Sequence, residues 1–170
     1  MLRLIFTTAP GSLVSRLIRW VSRSRASHVG IQLSETLVVS AEQRGVVQQS
    51  LDAFLVERKV VAIYEATPET VAMLDTENVR RQIGAPYEFV GGAGNMLALL
   101  VWRWFRRRIK NPLGNPHEFI CSKLPLALDP ERRLPEFRRI DPEETTPGVL
   151  LRHLACGHSF TRVDRASVRV

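Results

Sequence analysis

The chain is poor in several features that mark particular classes of protein. Only two of its 170 residues are cysteines, Cys121 and Cys156, so a framework of several disulfides is excluded and a reducing compartment is the default expectation. The longest apolar run, residues 96–105, is interrupted by Arg103. A membrane-spanning helix needs about 20 apolar residues, so this run is too short to cross a bilayer. Lysine is also scarce, and nearly all of the positive charge is arginine.

The charge that is present is strongly basic. Lys and Arg number 24 against 17 Asp and Glu, which gives a net charge of +7. Such an excess favours contact with an anionic surface, whether nucleic acid, anionic lipid or cell-wall polymer, without choosing among them. The composition, 45% hydrophobic and 24% charged, is typical of a globular chain, and the length predicts a single domain over residues 1–170. Because Pro10 and Gly11 break the N-terminal apolar stretch, no export signal is predicted. The cytoplasm is therefore the expected location, with delivery to the cell envelope left open.

Hydrophobic periodicity and turn residues predict an α+β protein with a small antiparallel sheet. The predicted strands cover residues 2–7, 28–33, 37–41, 45–49, 59–66 and 160–163, and the predicted helices cover 13–21, 51–56, 68–83, 118–128 and 147–154. Ser12 is the expected N-cap of the first helix. In that helix Leu13, Leu17, Ile18 and Val21 share one face, predicted to pack inward, while the arginines occupy the solvated side.

Cys121 is the residue best placed for nucleophilic chemistry. It falls at the start of the predicted helix 118–128, where the positive end of the helix dipole stabilises a thiolate. An activating imidazole is available from His28, which begins a predicted strand and points away from that strand's core face. Gly30 points the same way, and we expect it to leave space for a substrate chain. The alternative is that Cys121 is a small core residue and His28 a structural one.

A histidine that acts as a base needs a third group to orient it. Ser40 lies on the next predicted strand and Glu42 directly follows that strand; both share the strand parity of His28, so both are candidates. Spacing alone does not choose between them.

Four short segments, in this order, carry a family resemblance: SHVGIQL at 27–33, APYEF at 85–89, FICSKL at 119–124 and TPGVL at 146–150. Together they resemble the circularly permuted papain-like amidases of the NlpC superfamily, most closely the YaeF/YiiX branch and more distantly lecithin:retinol acyltransferase. In that group the histidine strand precedes the cysteine, as it does here. The resemblance covers roughly residues 4–151, and it implies a permuted papain-like fold in which a small antiparallel sheet packs against helices.

The resemblance also implies roles for individual residues. Cys121 would be the nucleophile and His28 the general base and then acid, with Ser40 at the third position, where relatives have Glu, His or another polar residue. Because serine is neutral, Glu42 is the alternative orienting group. Tyr87 matches an aromatic that lies near the cleft and is expected to contact substrate. Lys123 and Pro125 depart from the family's pattern.

The implied activity is that of a cysteine amidase or peptidase that cleaves a cell-wall peptide amide or a related acyl substrate through an acyl-enzyme. It needs no cofactor and no metal. One alternative is a non-catalytic binding or structural module of the same fold that uses an arginine-rich face, and another is a lipid acyltransferase or acyl hydrolase. A nucleic-acid-binding domain is a weaker reading.

Two further clusters have both a functional and a structural interpretation. One cluster of arginines lies beside tryptophans and consists of Arg103, Arg106, Arg107 and Arg108. Such a cluster is typical of contact with an anionic surface, and equally of a core helix that ends in a cationic turn. His153, Cys156 and His158 are close together, but zinc sites usually pair two ligand blocks and only His117 or Cys121 would complete a second one. A metal is therefore not expected there.

Overall fold

The computed structural model describes residues 1–86, 121–142 and 145–164. Six strands form one antiparallel sheet in the order β4-β3-β2-β1-β5-β6. The strands are β1 Arg3–Thr8, β2 His28–Gln32, β3 Leu37–Glu42, β4 Gly45–Ser50, β5 Lys59–Ala66 and β6 Phe160–Val163. The helices are α1 Leu13–Ser22, α2 Leu51–Leu55, α3 Pro68–Met73, α4 Thr76–Arg81, a 3-10 helix Leu124–Leu128, α5 Pro135–Arg138 and α6 Pro147–Cys156. The predicted α+β class with a small antiparallel sheet is confirmed.

Each face of the sheet is covered by its own apolar cluster. The larger cluster joins alternate residues of the strands, such as Phe6 and Val29, to Leu128 of the 3-10 helix, Phe137 of α5 and Leu150 of α6. The smaller cluster lies on the opposite face, where α2 packs over the central strands through Phe54. Because side chains alternate along a strand, the face of β2 that carries His28 is the one under α2. This face is covered, so His28 lies beside a second small core.

The packing of α1 agrees with the prediction only in part, because Val21 of the predicted inward face is buried but two of its leucines are not. Leu13 is 75% exposed and Leu17 is 45% exposed, whereas the serines at positions 15 and 22 are buried. The Ser15 hydroxyl lies 2.7 Å from the Ser27 hydroxyl and 3.1 Å from that of Thr8, and these hydrogen bonds hold the serine face against the sheet. Side-chain hydrogen bonding thus determines which face of α1 packs inward, and part of its apolar face is left in solvent.

Two predicted helices are also wrong in extent. The helix predicted over 68–83 is two short helices, because Leu74 is extended and the Asp75 carboxylate accepts a hydrogen bond from the Asn78 N–H at 2.8 Å, which caps a new helix. In the helix predicted over 118–128, residues 118–120 lie outside the described part. From Cys121 the chain forms a turn followed by the 3-10 helix, because Pro125 restricts the residue before it and lacks an N–H.

Some predictions fall on residues that the structure does not describe. These are the apolar run 96–105, the arginine and tryptophan cluster that overlaps it, Tyr87 and His117. Within the ranges that are described, no helix is long and apolar enough to span a bilayer.

Candidate active site

The register between β2 and β3 brings His28 and Glu42 together. Ile31 pairs with Val39 and Gln32 with Val38, so continuing this antiparallel register towards the start of β2 places Glu42 opposite His28 and Ser40 opposite Gly30. Residues directly opposite each other share a face of the sheet. The His28 Nε2 atom accordingly lies 3.3 Å from Glu42 Oε1, at ion-pair distance.

Glu42 is held in place by a dense set of polar neighbours. The Arg58 guanidinium binds both carboxylate oxygens, with Nη1 at 3.0 Å from Oε1 and Nη2 at 2.7 Å from Oε2. The Ser40 hydroxyl donates to Oε1 at 2.7 Å, and the Gln49 amide donates to the same oxygen at 3.2 Å. Although partial burial raises the pKa of the Glu42 carboxyl, its interactions with His28, Arg58 and Ser40 outweigh burial and hold that pKa well below its usual range. Glu42 is therefore a fixed anion beside the imidazole.

The imidazole of His28 interacts with Cys121 as well as with Glu42. Burial lowers the pKa of His28, but the negative charge of the Cys121 thiolate, a hydrogen bond with that side chain and the Glu42 carboxylate together raise it to about 9. Nε2 is the ring nitrogen beside Glu42, at 3.3 Å from Oε1. At neutral pH the imidazolium form of His28 is therefore favoured.

Cys121 is a free thiol in a tightly held turn. It is only 7% exposed and belongs to the larger apolar cluster. Its neighbour Ser122 is fully buried and donates its hydroxyl to the Thr145 carbonyl at 3.0 Å, which ties the turn to the chain before α6. The other cysteine, Cys156, is also free but exposed. The two thiols thus differ in burial, and only Cys121 adjoins His28.

Phe54 of α2 packs beside the charged groups and fills the space next to Gly30. Its ring lies 5.7 Å from the His28 ring, and the Arg58 guanidinium sits 4.9 Å from its centroid. A Cβ atom on Gly30 would approach the Phe54 ring to 2.7 Å and Val38 to 2.8 Å. The prediction that Gly30 leaves room for a substrate chain is therefore wrong, because a phenyl ring already occupies that room.

The structure separates the predicted site residues into three groups. His28, Glu42 and Cys121 are neighbours. Ser40 is next to them, but its hydroxyl donates to Glu42, so it contacts the imidazole's partner instead of the imidazole itself. Tyr87 lies outside the described residues.

Sequence reasoning missed Arg58, Gln49 and Phe54. Arg58 comes 16 residues after Glu42, beyond a strand and a helix, and no local pattern pairs them. A charged residue directly after a short amphipathic helix is too common to single out. The only available signal was that a carboxylate facing the small core needs a cationic partner.

Metal binding finds no support in the described ranges. No group of three or more His, Cys, Asp or Glu side chains there is arranged to hold an ion, and this includes the pair His153 and His158 near Cys156. Comparison of the chain with protein-family models, with curated proteins and with solved structures gives no match. The function is therefore inferred from the geometry of the site and from the sequence motifs.

Proposed function

We propose that the protein is a cysteine hydrolase that cleaves amide bonds, an amidase or peptidase, with Cys121 as nucleophile and His28 as its acid and base. One observation carries the proposal: the His28 imidazole lies between a thiol and a carboxylate that raise its pKa to about 9. A histidine whose two nitrogens face a nucleophile and an orienting anion is the arrangement that thiol hydrolases need.

The reaction would proceed in two halves. In the first, the Cys121 thiolate attacks the carbonyl carbon of the substrate amide, and the imidazolium of His28 donates its proton to the leaving amine as the C–N bond breaks. This leaves a thioester on Cys121 and a neutral His28. In the second half, His28 takes a proton from a water molecule as the water oxygen attacks the thioester carbon, and the C–S bond breaks to release the Cys121 thiolate beside the His28 imidazolium. The products are a carboxylic acid, an amine and the free enzyme.

Glu42 would act through His28. Its carboxylate faces Nε2, which keeps the proton of the neutral imidazole on that nitrogen and turns Nδ1 towards the sulfur. Arg58 and Ser40 in turn hold the carboxylate in place. We therefore assign Glu42 the third position that Ser40 would occupy by resemblance, and Ser40 supports Glu42.

The fold that best fits this site is the permuted papain-like one. The histidine strand comes before the cysteine in the chain, the sheet is small and antiparallel, and the cysteine turn packs against its larger core. The resemblance of the four motifs supports the same fold and favours cell-wall peptide amides or lipid acyl groups as substrates. The net charge of +7 is compatible with either anionic target.

The test is the alkylation of the two thiols by iodoacetamide at neutral pH, followed by mass spectrometry of the peptides. Cys156 is an internal control because it is exposed and ought to react at the rate of an ordinary thiol. We expect Cys121 to react faster despite its burial, and the excess rate to disappear in His28→Ala. Substrate screening with peptide amides should then trap a thioester on Cys121 in the intact protein.

A matched variant, His153→Ala, removes a histidine far from the site in sequence and should leave the ratio of the two rates unchanged. If Cys121 reacts no faster than Cys156 in the wild-type protein, or if His28→Ala leaves the ratio unchanged, the proposed catalytic pair is refuted. The non-catalytic module would then be the better interpretation of this fold.

A further inference from the structure

One cleft of the protein is lined by arginines, and neither Cys121 nor His28 is among its lining residues. It has a volume of about 350 Å³ and is formed where the end of α1 meets α6, β5 and β6. Arg23 and Arg25 come from the chain just after α1, Arg152 from α6 and Arg162 from β6. Four positive side chains thus converge on one cleft from three parts of the sequence.

These arginines have no anionic partner in the part of the chain that the structure describes. The ion pairs among the described residues use arginines outside the cleft, such as Arg3 with Glu65 and Arg58 with Glu42. Among the described residues, one side-chain hydrogen bond of a lining arginine is present, from Arg152 Nη1 to the Ser22 carbonyl at 3.5 Å. Like charges that converge without a counterion repel each other, and an anion bound among them removes this repulsion.

One buried polar side chain lines the same cleft. Tyr64 is only 4% exposed and stands directly opposite Arg162 in the ladder between β5 and β6. Its ring is fixed by an edge-to-face contact with Phe6, at 6.1 Å between centroids. No residue in 1–86, 121–142 or 145–164 forms a hydrogen bond with its hydroxyl. The hydroxyl is not one of the enclosed unpartnered atoms of these ranges, so it is a donor that a ligand in the cleft can reach.

Apart from Ser24, the remainder of the lining has no polar side chain. Val61 and Ala62 of β5 and Leu151 and Ala155 of α6 contribute to it. Guanidinium groups bind phosphate oxygens in pairs, and the cleft exceeds what a bare phosphate ion would fill. The combination of arginines, one free hydroxyl and an apolar floor fits a phosphate group that carries an apolar substituent.

We propose that this cleft is a binding site for a phosphate ester with an apolar substituent, separate from the thiol site. Two sources have this chemistry, a soluble phosphate ester and the headgroup of an anionic phospholipid. Leu13 and Leu17 are exposed on α1, the helix that leads into Arg23. Exposed apolar side chains favour contact with a lipid surface, so the phospholipid headgroup is tested separately.

The experiment measures binding of dibutyl phosphate and of inorganic phosphate by calorimetry at fixed ionic strength, with the full chain. Dibutyl phosphate should bind more tightly, because only it reaches the apolar floor. The double variant Arg152→Gln with Arg162→Gln should weaken its binding by at least about tenfold, since each guanidinium contributes a charge-assisted hydrogen bond. Tyr64→Phe should weaken it several-fold, in the order of one lost hydrogen bond, without loss of folding.

The matched control is Arg81→Gln with Arg139→Gln, which removes the same charge from exposed positions elsewhere. It should change the affinity by less than about twofold, because charges beyond a Debye length are screened. Sedimentation with phosphatidylcholine vesicles, with and without phosphatidic acid, identifies the source. If the protein binds the anionic vesicles and dibutyl phosphate displaces it from them, the ligand is a lipid headgroup. If it binds dibutyl phosphate but not the vesicles, the ligand is a soluble ester. Absence of binding to either probe, or an equal loss in the control variant, overturns the proposal.

Discussion

Replacing Cys121 by serine should lower the pKa of His28 substantially. In the wild-type protein burial disfavours the imidazolium, and the Cys121 thiolate is the largest influence that opposes burial and raises the pKa from 6.5 to about 9. A serine hydroxyl has nearly the same shape but does not ionise near neutral pH. Only Glu42 would then favour the charged imidazole, and burial would act against it.

The size of the effect follows from these two values. The difference between 6.5 and about 9 corresponds to about 3 kcal/mol in favour of the imidazolium, at about 1.4 kcal/mol per pKa unit. This figure is what remains after burial has been overcome, so the interactions that raise the pKa are worth more than that. Loss of the largest of them should therefore lower the pKa of His28.

The assay is an NMR titration of the histidine Cε1–H signals between pH 5 and 10 in roughly half-unit steps, with His28 assigned from the His28→Gln spectrum. Glu42→Gln is the second perturbation, and it should also lower the midpoint, since it removes the carboxylate 3.3 Å from Nε2. A wild-type midpoint near 6.5, or a midpoint that Cys121→Ser leaves unmoved, would refute the arrangement of thiol, imidazole and carboxylate.

The same shift predicts how stability depends on pH. Because the pKa of His28 is higher in the folded than in the unfolded chain, the stability it contributes is fully present below pH 6.5 and is lost as the pH rises through about 9. Urea unfolding of the wild-type protein at intervals across this window should show this loss as a fall in the free energy of unfolding. Cys121→Ser should show a clearly smaller loss over the same range.

Three other substitutions test the packing. Gly30→Ala should destabilise the protein by about 1–3 kcal/mol in urea unfolding, because its Cβ meets the Phe54 ring at 2.7 Å; an unchanged midpoint would contradict this. Burial raises the pKa of Glu136, but hydrogen bonds from Ser159 and its neighbours outweigh burial and lower that pKa. The stability that Glu136 contributes is therefore present above pH 4.5 and falls as the pH drops further. Glu136→Gln should flatten that acid limb, and an equally steep limb in the variant would count against the assignment. Leu13→Gln should change the free energy of unfolding by less than about 0.5 kcal/mol, since Leu13 is 75% exposed; a core-sized loss would show that α1 packs the other way.

The strands could be predicted closely because their signals are local. Both β5 and β6 have the predicted bounds, and each of the other four ends within one residue of its prediction, since alternation and turn residues act over a few positions. The N-cap of α1 could also be predicted from the sequence, and in the structure Ser12 accepts a hydrogen bond from the Ser15 N–H at 3.2 Å. The break between the two helices at Asp75 could not be predicted, because the side-chain cap there competes with a helical pattern that continues through it.

The choice between Ser40 and Glu42 could not be made from the sequence. Both have the same strand parity as His28, and parity is all that alternation determines. Which of them lies opposite the histidine depends on the register of β2 against β3. That register is set by the packing of both faces of the sheet, so the partner of His28 is a property of the tertiary structure.

The sequence by itself determined the α+β class, the order of the strands along the chain and the residue types able to perform thiol chemistry, because periodicity and chemical identity are local properties. Only the tertiary structure decided that Arg58 holds Glu42, that Phe54 fills the space beside Gly30 and that the serines of α1 face inward. Each of these contacts joins residues separated by a turn, a strand or more, where the outcome depends on competing packings of the whole chain. Local patterns carry no information about that competition.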